Sequence, residues 1–356
     1  MPSATWLRPL LLVTAVLVQI LPAAASVEAV ARAIDGFVRP GYARFDAAAT
    51  HSAGQVAALC QSPSAENLAA TRAGFVDLVS AWSKVETIRF GPVTEENRLE
   101  RILFWPDRKS IGLKQVQAAI AAHDPTASDA ASLKGKSVAM QGLGALEFVL
   151  FGTGSEELAA PGDPYRCAYG RAIASNIATM AGEIDAAWRA PDGIAAQWPN
   201  PGTNNPLYRN DDESLTELFN VVVHGLEMVR DVRINGFLGE TPDKDRPRQA
   251  IFWRSGATGV SLKGNLDGLH DLFDTSGIAT GLPADTAWIV DSVTFEFRTA
   301  DAMLDGLDVG AALMDAQARS RLVSVRLITS HLSELFGGNL SAALGLSAGF
   351  SSLDGD

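Results

Sequence analysis

Apolar side chains recur at intervals of three and four residues along most of the chain, and sustained two-residue alternation is absent. That spacing places them on one face of a helix with about 3.6 residues per turn. It predicts helices over 27–38, 42–60, 65–87, 95–103, 111–123, 138–151, 164–189, 212–234, 265–275, 285–307 and 316–344. The short alternating run 292–297 reads as part of the helix over 285–307. Local signals agree with this reading: Pro164 suits a first helical turn, and Ser64 and Asp211 suit N-caps.

The pattern breaks at 191–210, where Pro, Gly and Asn cluster, and again over 236–264. Helices on each side of the first break predict an all-α fold of two packed helical bundles. The expected organisation is an N-terminal bundle over 26–190, a linker loop over 191–210, and a C-terminal bundle over 211–356 with an irregular insert at 236–264. An internal duplication of one bundle is compatible with this layout.

One polar residue interrupts an apolar stripe. Within 138–151, Met140, Leu143, Glu147 and Leu150 share a face, with Glu147 only about 40° from Leu143. A carboxylate there needs a cation, hydrogen-bond donors, a metal or a proton, because burying an unpaired one is very costly. A structural ion pair with an Arg and a functional site are both open for it. Arg254, in Trp253-Arg254-Ser255-Gly256, is the candidate cation, since a guanidinium pairs best with a carboxylate; a solvated surface Arg is the alternative. His224 and Glu227 lie three apart on one helix face and form a candidate metal pair, against the alternative of a solvated face. Phe104-Trp105-Pro106-Asp107 ends a helix abruptly, placing Trp105 and Asp107 either at a cleft or at an ordinary helix stop.

The N-terminus reads as an export signal over 1–25. Arg8 precedes an apolar run over 9–21 that is too short to span a bilayer, and an Ala-x-Ala site predicts cleavage after Ala25. The chain is therefore expected in the periplasm, with no transmembrane segment in its mature part. The formal net charge is −12 at pH 7. An acidic exported chain argues against nucleic acid and anionic membranes as partners. In an oxidising compartment the two cysteines, Cys60 and Cys167, are most simply one disulfide. It would close a loop of roughly a hundred residues.

Several chemistries are excluded or weak. No His-Glu-x-x-His occurs. Gly345-Leu346-Ser347-Ala348-Gly349 matches a nucleophile-elbow spacing but follows a helix with no strand before it. Phosphate-cradling glycine loops are absent.

The chain nevertheless resembles the imelysin-like family, a group of exported helical proteins classed with peptidases. The resemblance rests on Phe90-Gly91-Pro92, Phe104-Trp105-Pro106-Asp107, Gly142 to Glu147, Phe252-Trp253-Arg254-Ser255-Gly256 and the tail from Gly345 to Leu353-Asp354-Gly355-Asp356. It implies two helical bundles with a site between them. The family signature is Gly-x-His-x-x-Glu. Here Gly142 and Glu147 match, but Gly144 occupies the His position and can neither bind a metal nor share a proton.

The resemblance implies a link to iron uptake, with a metal ion (iron or zinc), haem or another periplasmic iron-uptake protein as partner. Candidate ligand contacts are Glu147, Asp107, Trp105, Arg254, Ser255 and Glu227; candidate metal ligands are Glu147, His224 and Glu227. Three functions stay open at this point: a non-catalytic binding or accessory protein, a metal-dependent peptidase, and a structural envelope protein.

Overall fold

The computed structural model describes residues 23–346 except 163. Most of the expected export signal, Ser347 of the nucleophile-like pattern and the Leu353-Asp354-Gly355-Asp356 ending lie outside the described residues.

The described chain is helical, without strands, as the spacing predicts. In order, the helices are α1 Ala23–Ala33, α2 Arg39–Gln61, α3 Ala65–Val85, α4 Arg98–Ile102, α5 Ile111–Ala122, α6 Ala130–Leu133, α7 Leu143–Phe151 and α8 Pro164–Arg189. There follow α9 Ile194–Gln197, α10 Asp211–Glu227, α11 Thr258–Ser276, α12 Ala287–Leu304, α13 Val309–Ala312, α14 Ala316–Glu334 and α15 Ser341–Leu344. One group packs α2 against α3 and α8, with α7 between α3 and α8; the other packs α10, α11, α12 and α14. Helix α1 packs against α10 and α11, and α3 against α11, so these contacts join the two groups.

Several boundaries differ from the pattern-based expectation, each for a local reason. The break expected after 38 is absent, because a π-helical turn over Ile34–Val38 carries α1 into α2. Pro40, which has no N–H to donate, falls where this turn passes into α2. Ser64 caps α3 by accepting from the Asn67 amide at 3.0 Å, as expected. Asp211 does not cap α10; the Asn210 side chain does, accepting from the Glu213 amide at 2.9 Å. Helix α11 starts at Thr258, shortening the irregular insert at its C-terminal end.

The helix expected over 138–151 is divided. Val138–Met140 forms a 3₁₀ turn, and α7 begins only at Leu143. Gly142 causes the division. It is extended and packs on the Arg101 and Ile102 carbonyls, where a Cβ would come within 2.4 Å of both oxygens. Met140 is therefore outside the helix of Glu147. Nor does Glu147 sit on a stripe, because α7 is buried on every side except at Gly144.

The joint between the two groups is tight. A Cβ on Gly268 of α11 would meet the Lys84 carbonyl oxygen of α3 at 2.2 Å. At this joint lies a second buried carboxylate, just past the end of α3. Glu86 is 1% exposed, less than Glu147 at 4%. Its Oε1 accepts from Arg233 Nη2, and its Oε2 accepts from Asn265 Nδ2 at 3.1 Å. Asn265 also donates to the Ser83 carbonyl at 2.7 Å, and Ser83 and Ser261 join hydroxyls at 3.0 Å. Burial pushes the Arg233 guanidinium down from its usual range. Cys60 and Cys167 are bonded, tying the end of α2 to the start of α8.

Candidate functional site

Glu147 belongs to α7, in the N-terminal half, but the hydrogen bonds of its carboxylate reach the 252–256 turn of the C-terminal half. Its Oε1 accepts from the Arg254 amide at 3.1 Å, the Ser255 amide at 3.0 Å and the Ser255 hydroxyl at 2.9 Å. The turn converges these donors by adopting a costly backbone. Phe252 has φ +54°, rare for a bulky residue and worth about 1–3 kcal/mol of strain. Gly256 has φ +71°, which glycine takes freely. The turn is tied down by an Ala257 amide bond to the Phe252 carbonyl at 3.1 Å and by a Thr258 hydroxyl bond to the Ile251 carbonyl at 2.5 Å. Two successive amides aimed at one carboxylate oxygen form a backbone anion receptor. Burial raises the Glu147 carboxyl above its ordinary value, while the Ser255 and Arg254 donors and the Arg254 charge oppose this.

Arg254 meets Glu147, but through its amide and its charge rather than a fork of guanidinium bonds. The guanidinium stacks on Trp253, 4.4 Å from the ring centre, and lies 5.5 Å from the centre of Phe148. The stack continues outward to Arg248, 5.7 Å from Trp253, and inward to Arg166, 5.9 Å from Phe148. Burial, followed by the Arg248 charge, lowers the Arg254 guanidinium, and Glu147 counters this.

The outer side of the turn lines a cleft of about 450 Å³. Its polar wall is Arg254, Ser255, Thr258 and Asp308; its apolar wall includes Ala250, Val309 and Leu313. Every described lining residue comes from the C-terminal half, so these walls do not run between the two halves, and Glu147 bonds to the turn that forms one of them.

The other candidates lie elsewhere. Asp107 is engaged as a cap: Oδ1 accepts from the Ile111 amide at 2.7 Å and Oδ2 from the Leu113 amide at 3.2 Å. Asp107→Ala should cost about 0.5–2 kcal/mol in urea unfolding without affecting any binding at the cleft. Trp105 is half-buried against the core. His224 and Glu227 are half-buried on α10, and none of the Glu147 hydrogen bonds reaches them. Among the described residues no group of three or more His, Cys, Asp or Glu is placed to hold a metal ion.

Sequence reasoning missed Glu86, Arg233 and Asn265. A signal for the pair existed: Phe75, Val79, Trp82 and Glu86 share one helical face, as do Leu226, Val229 and Arg233.

Known proteins share this architecture. A family model described as Imelysin matches residues 38–334. A solved imelysin-like protein from Psychrobacter arcticum 273-4 superposes with a TM-score of 0.77 at 20% identity, covering 93% of this chain and 98% of that one. A solved protein named an iron-regulated protein A precursor, from Parabacteroides distasonis ATCC 8503, superposes with a TM-score of 0.70 at 13% identity, covering 89% and 96%. No curated protein matches.

Proposed function

The chain belongs to the imelysin family, and from that premise we propose that it is an exported, non-catalytic binding component of iron or haem acquisition. Its ligand is held in the cleft that Glu147 braces. The carrying observation is the convergence of three donors on Glu147 Oε1. The three donors fill Oε1, so this oxygen serves to shape the turn, while Oε2 takes none of them. The Gly at 144 supports the same reading, because the family signature places its second chemical group there. Export rests on Arg8 and the apolar run after it. Among the described residues no helix is long and apolar enough to cross a membrane. The iron link rests on the name of one structural neighbour and on the family resemblance.

The competing reading, a metal-dependent peptidase, is favoured by the family's classification and predicts cleavage. The test incubates the mature protein with zinc or ferrous ion and an unfolded protein substrate, beside Glu147→Gln. A Gly144→His control restores the family pair, and the Cβ position at 144 has no atom within 4 Å. No cleavage by the natural chain, together with impaired iron uptake in a deletion strain that Glu147→Ala fails to restore, is the expected result. Cleavage that disappears in Glu147→Gln would overturn the proposal.

Glu147→Gln should also keep the fold. A carboxyl raised on folding contributes most below its unfolded value and loses that contribution as pH rises through the folded one. The natural chain should therefore lose stability relative to Glu147→Gln from about pH 4 to about pH 7, read by urea midpoints at the two pH values.

A further inference from the structure

We infer that the cleft recognises its ligand as an organic polycarboxylate anion, not as a bare metal cation; this rests on the binding reading above. The chain is acidic overall, with a net charge of −12, yet the turn and the segment leading into it carry three arginines, at 246, 248 and 254. Arg254 lines the cleft itself. Its guanidinium is half-buried and is held in place by two aromatic faces, Trp253 and Phe148, rather than by an acid. Cation–π stacking uses the face of the guanidinium and leaves its in-plane N–H edge free to donate. Glu147, the carboxylate nearest in this network, is bonded by the amide of Arg254 and not by its side chain.

Among the described residues no carboxylate is bonded to this fork, and a fixed fork of donors is the geometry that takes a carboxylate bidentately. The Ser255 hydroxyl, 2.9 Å from Glu147 Oε1 and 3.0 Å from the Phe252 carbonyl, stands beside it. Among the described residues the one acid on the lining, Asp308, spends an oxygen on the Ala311 amide at 3.0 Å as the cap of α13. Across the cleft, Ala250, Val309 and Leu313 supply apolar surface. Such a surface suits the carbon body of an organic ligand and adds nothing for a hydrated inorganic ion. A volume of about 450 Å³ is of small-ligand size.

The experiment titrates the full mature protein, stripped of metal, with citrate, ferric citrate, haemin, inorganic phosphate and free zinc and ferric ions, following Trp fluorescence and heat. The variants are Arg254→Gln, which keeps the amide donor to Glu147, Arg254→Lys, which keeps the charge, and Glu147→Ala, which removes the carboxylate. Expected is saturable binding of at least one polycarboxylate, weakened by added salt, at least about tenfold weaker in Arg254→Gln and partly restored in Arg254→Lys. The citrate and ferric citrate arms separate the free acid from its iron chelate. Unaltered polycarboxylate binding in Arg254→Gln, or phosphate binding as tightly as any polycarboxylate, would overturn the inference. Binding of free metal alone, lost in Glu147→Ala, would overturn it while leaving a binding function in place. Failure of every probe would overturn both.

Discussion

Arg233→Met is expected to destabilise the protein by about 3–5 kcal/mol, a large effect for a single side chain. The reason is the carboxylate left behind. Glu86 is 1% exposed, and without Arg233 its sole remaining side-chain donor among the described residues is Asn265 at 3.1 Å. A buried anion with one neutral donor must take up a proton or pull water into the α3–α11 joint. The joint has no slack for that, because Gly264 and Gly268 already bring the two backbones together. The double variant Glu86→Leu, Arg233→Met removes both charges and should recover most of the loss, since a buried ion pair replaced by apolar groups of similar size is often close to neutral. Guanidinium chloride unfolding of the three proteins measures this. A single variant as stable as the natural chain would show that Glu86 is solvated in solution.

Loss of the Cys60–Cys167 bridge should cost about 4–5 kcal/mol in the chain-entropy model. The bond joins residues 107 apart in sequence, with Cα atoms at 5.6 Å, so it removes a large loop's worth of freedom from the unfolded chain. The α2 and α8 helices it ties already pack along their lengths. The effect should therefore show as a lower unfolding midpoint with little change in helix content. Circular dichroism melts of the oxidised protein and of Cys60→Ser, Cys167→Ser give the comparison. Equal midpoints would mean that the unfolded chain is already compact around these helices.

The helical fold is legible in the sequence because it depends on spacing alone. Eleven expected segments fall on observed helices, since a 3.6-residue stripe specifies a helix whatever it packs against. Boundaries are less legible where the backbone obeys a neighbour. Gly142 starts α7 because two carbonyls of α4 press on it, and nothing in its own sequence window says so. The importance of Glu147 can be read from its apolar setting, but its partner only in part. Arg254 is foreseeable as a charge, whereas the bonds come from two amides and a hydroxyl of a strained turn, and amides leave no trace in side-chain pattern. The family resemblance puts a site between the halves, yet the walls of the cleft come from 247–258 and 308–313, stretches distant in sequence whose approach is set by tertiary packing. An Asp after an aromatic helix stop suits a site and a cap equally, and which of these Asp107 becomes depends on where α5 begins.

Glu147 is above all a brace, holding the 252–256 turn, and with it the cleft, in a binding shape. Residue-resolved amide hydrogen exchange on the natural chain and on Glu147→Ala tests this most directly. Arg254 and Ser255 are predicted to lose their protection in the variant while amides of α3 and α11 keep theirs, because only the acceptor of those two N–H groups has gone. Unchanged protection at Arg254 and Ser255 in Glu147→Ala would contradict it.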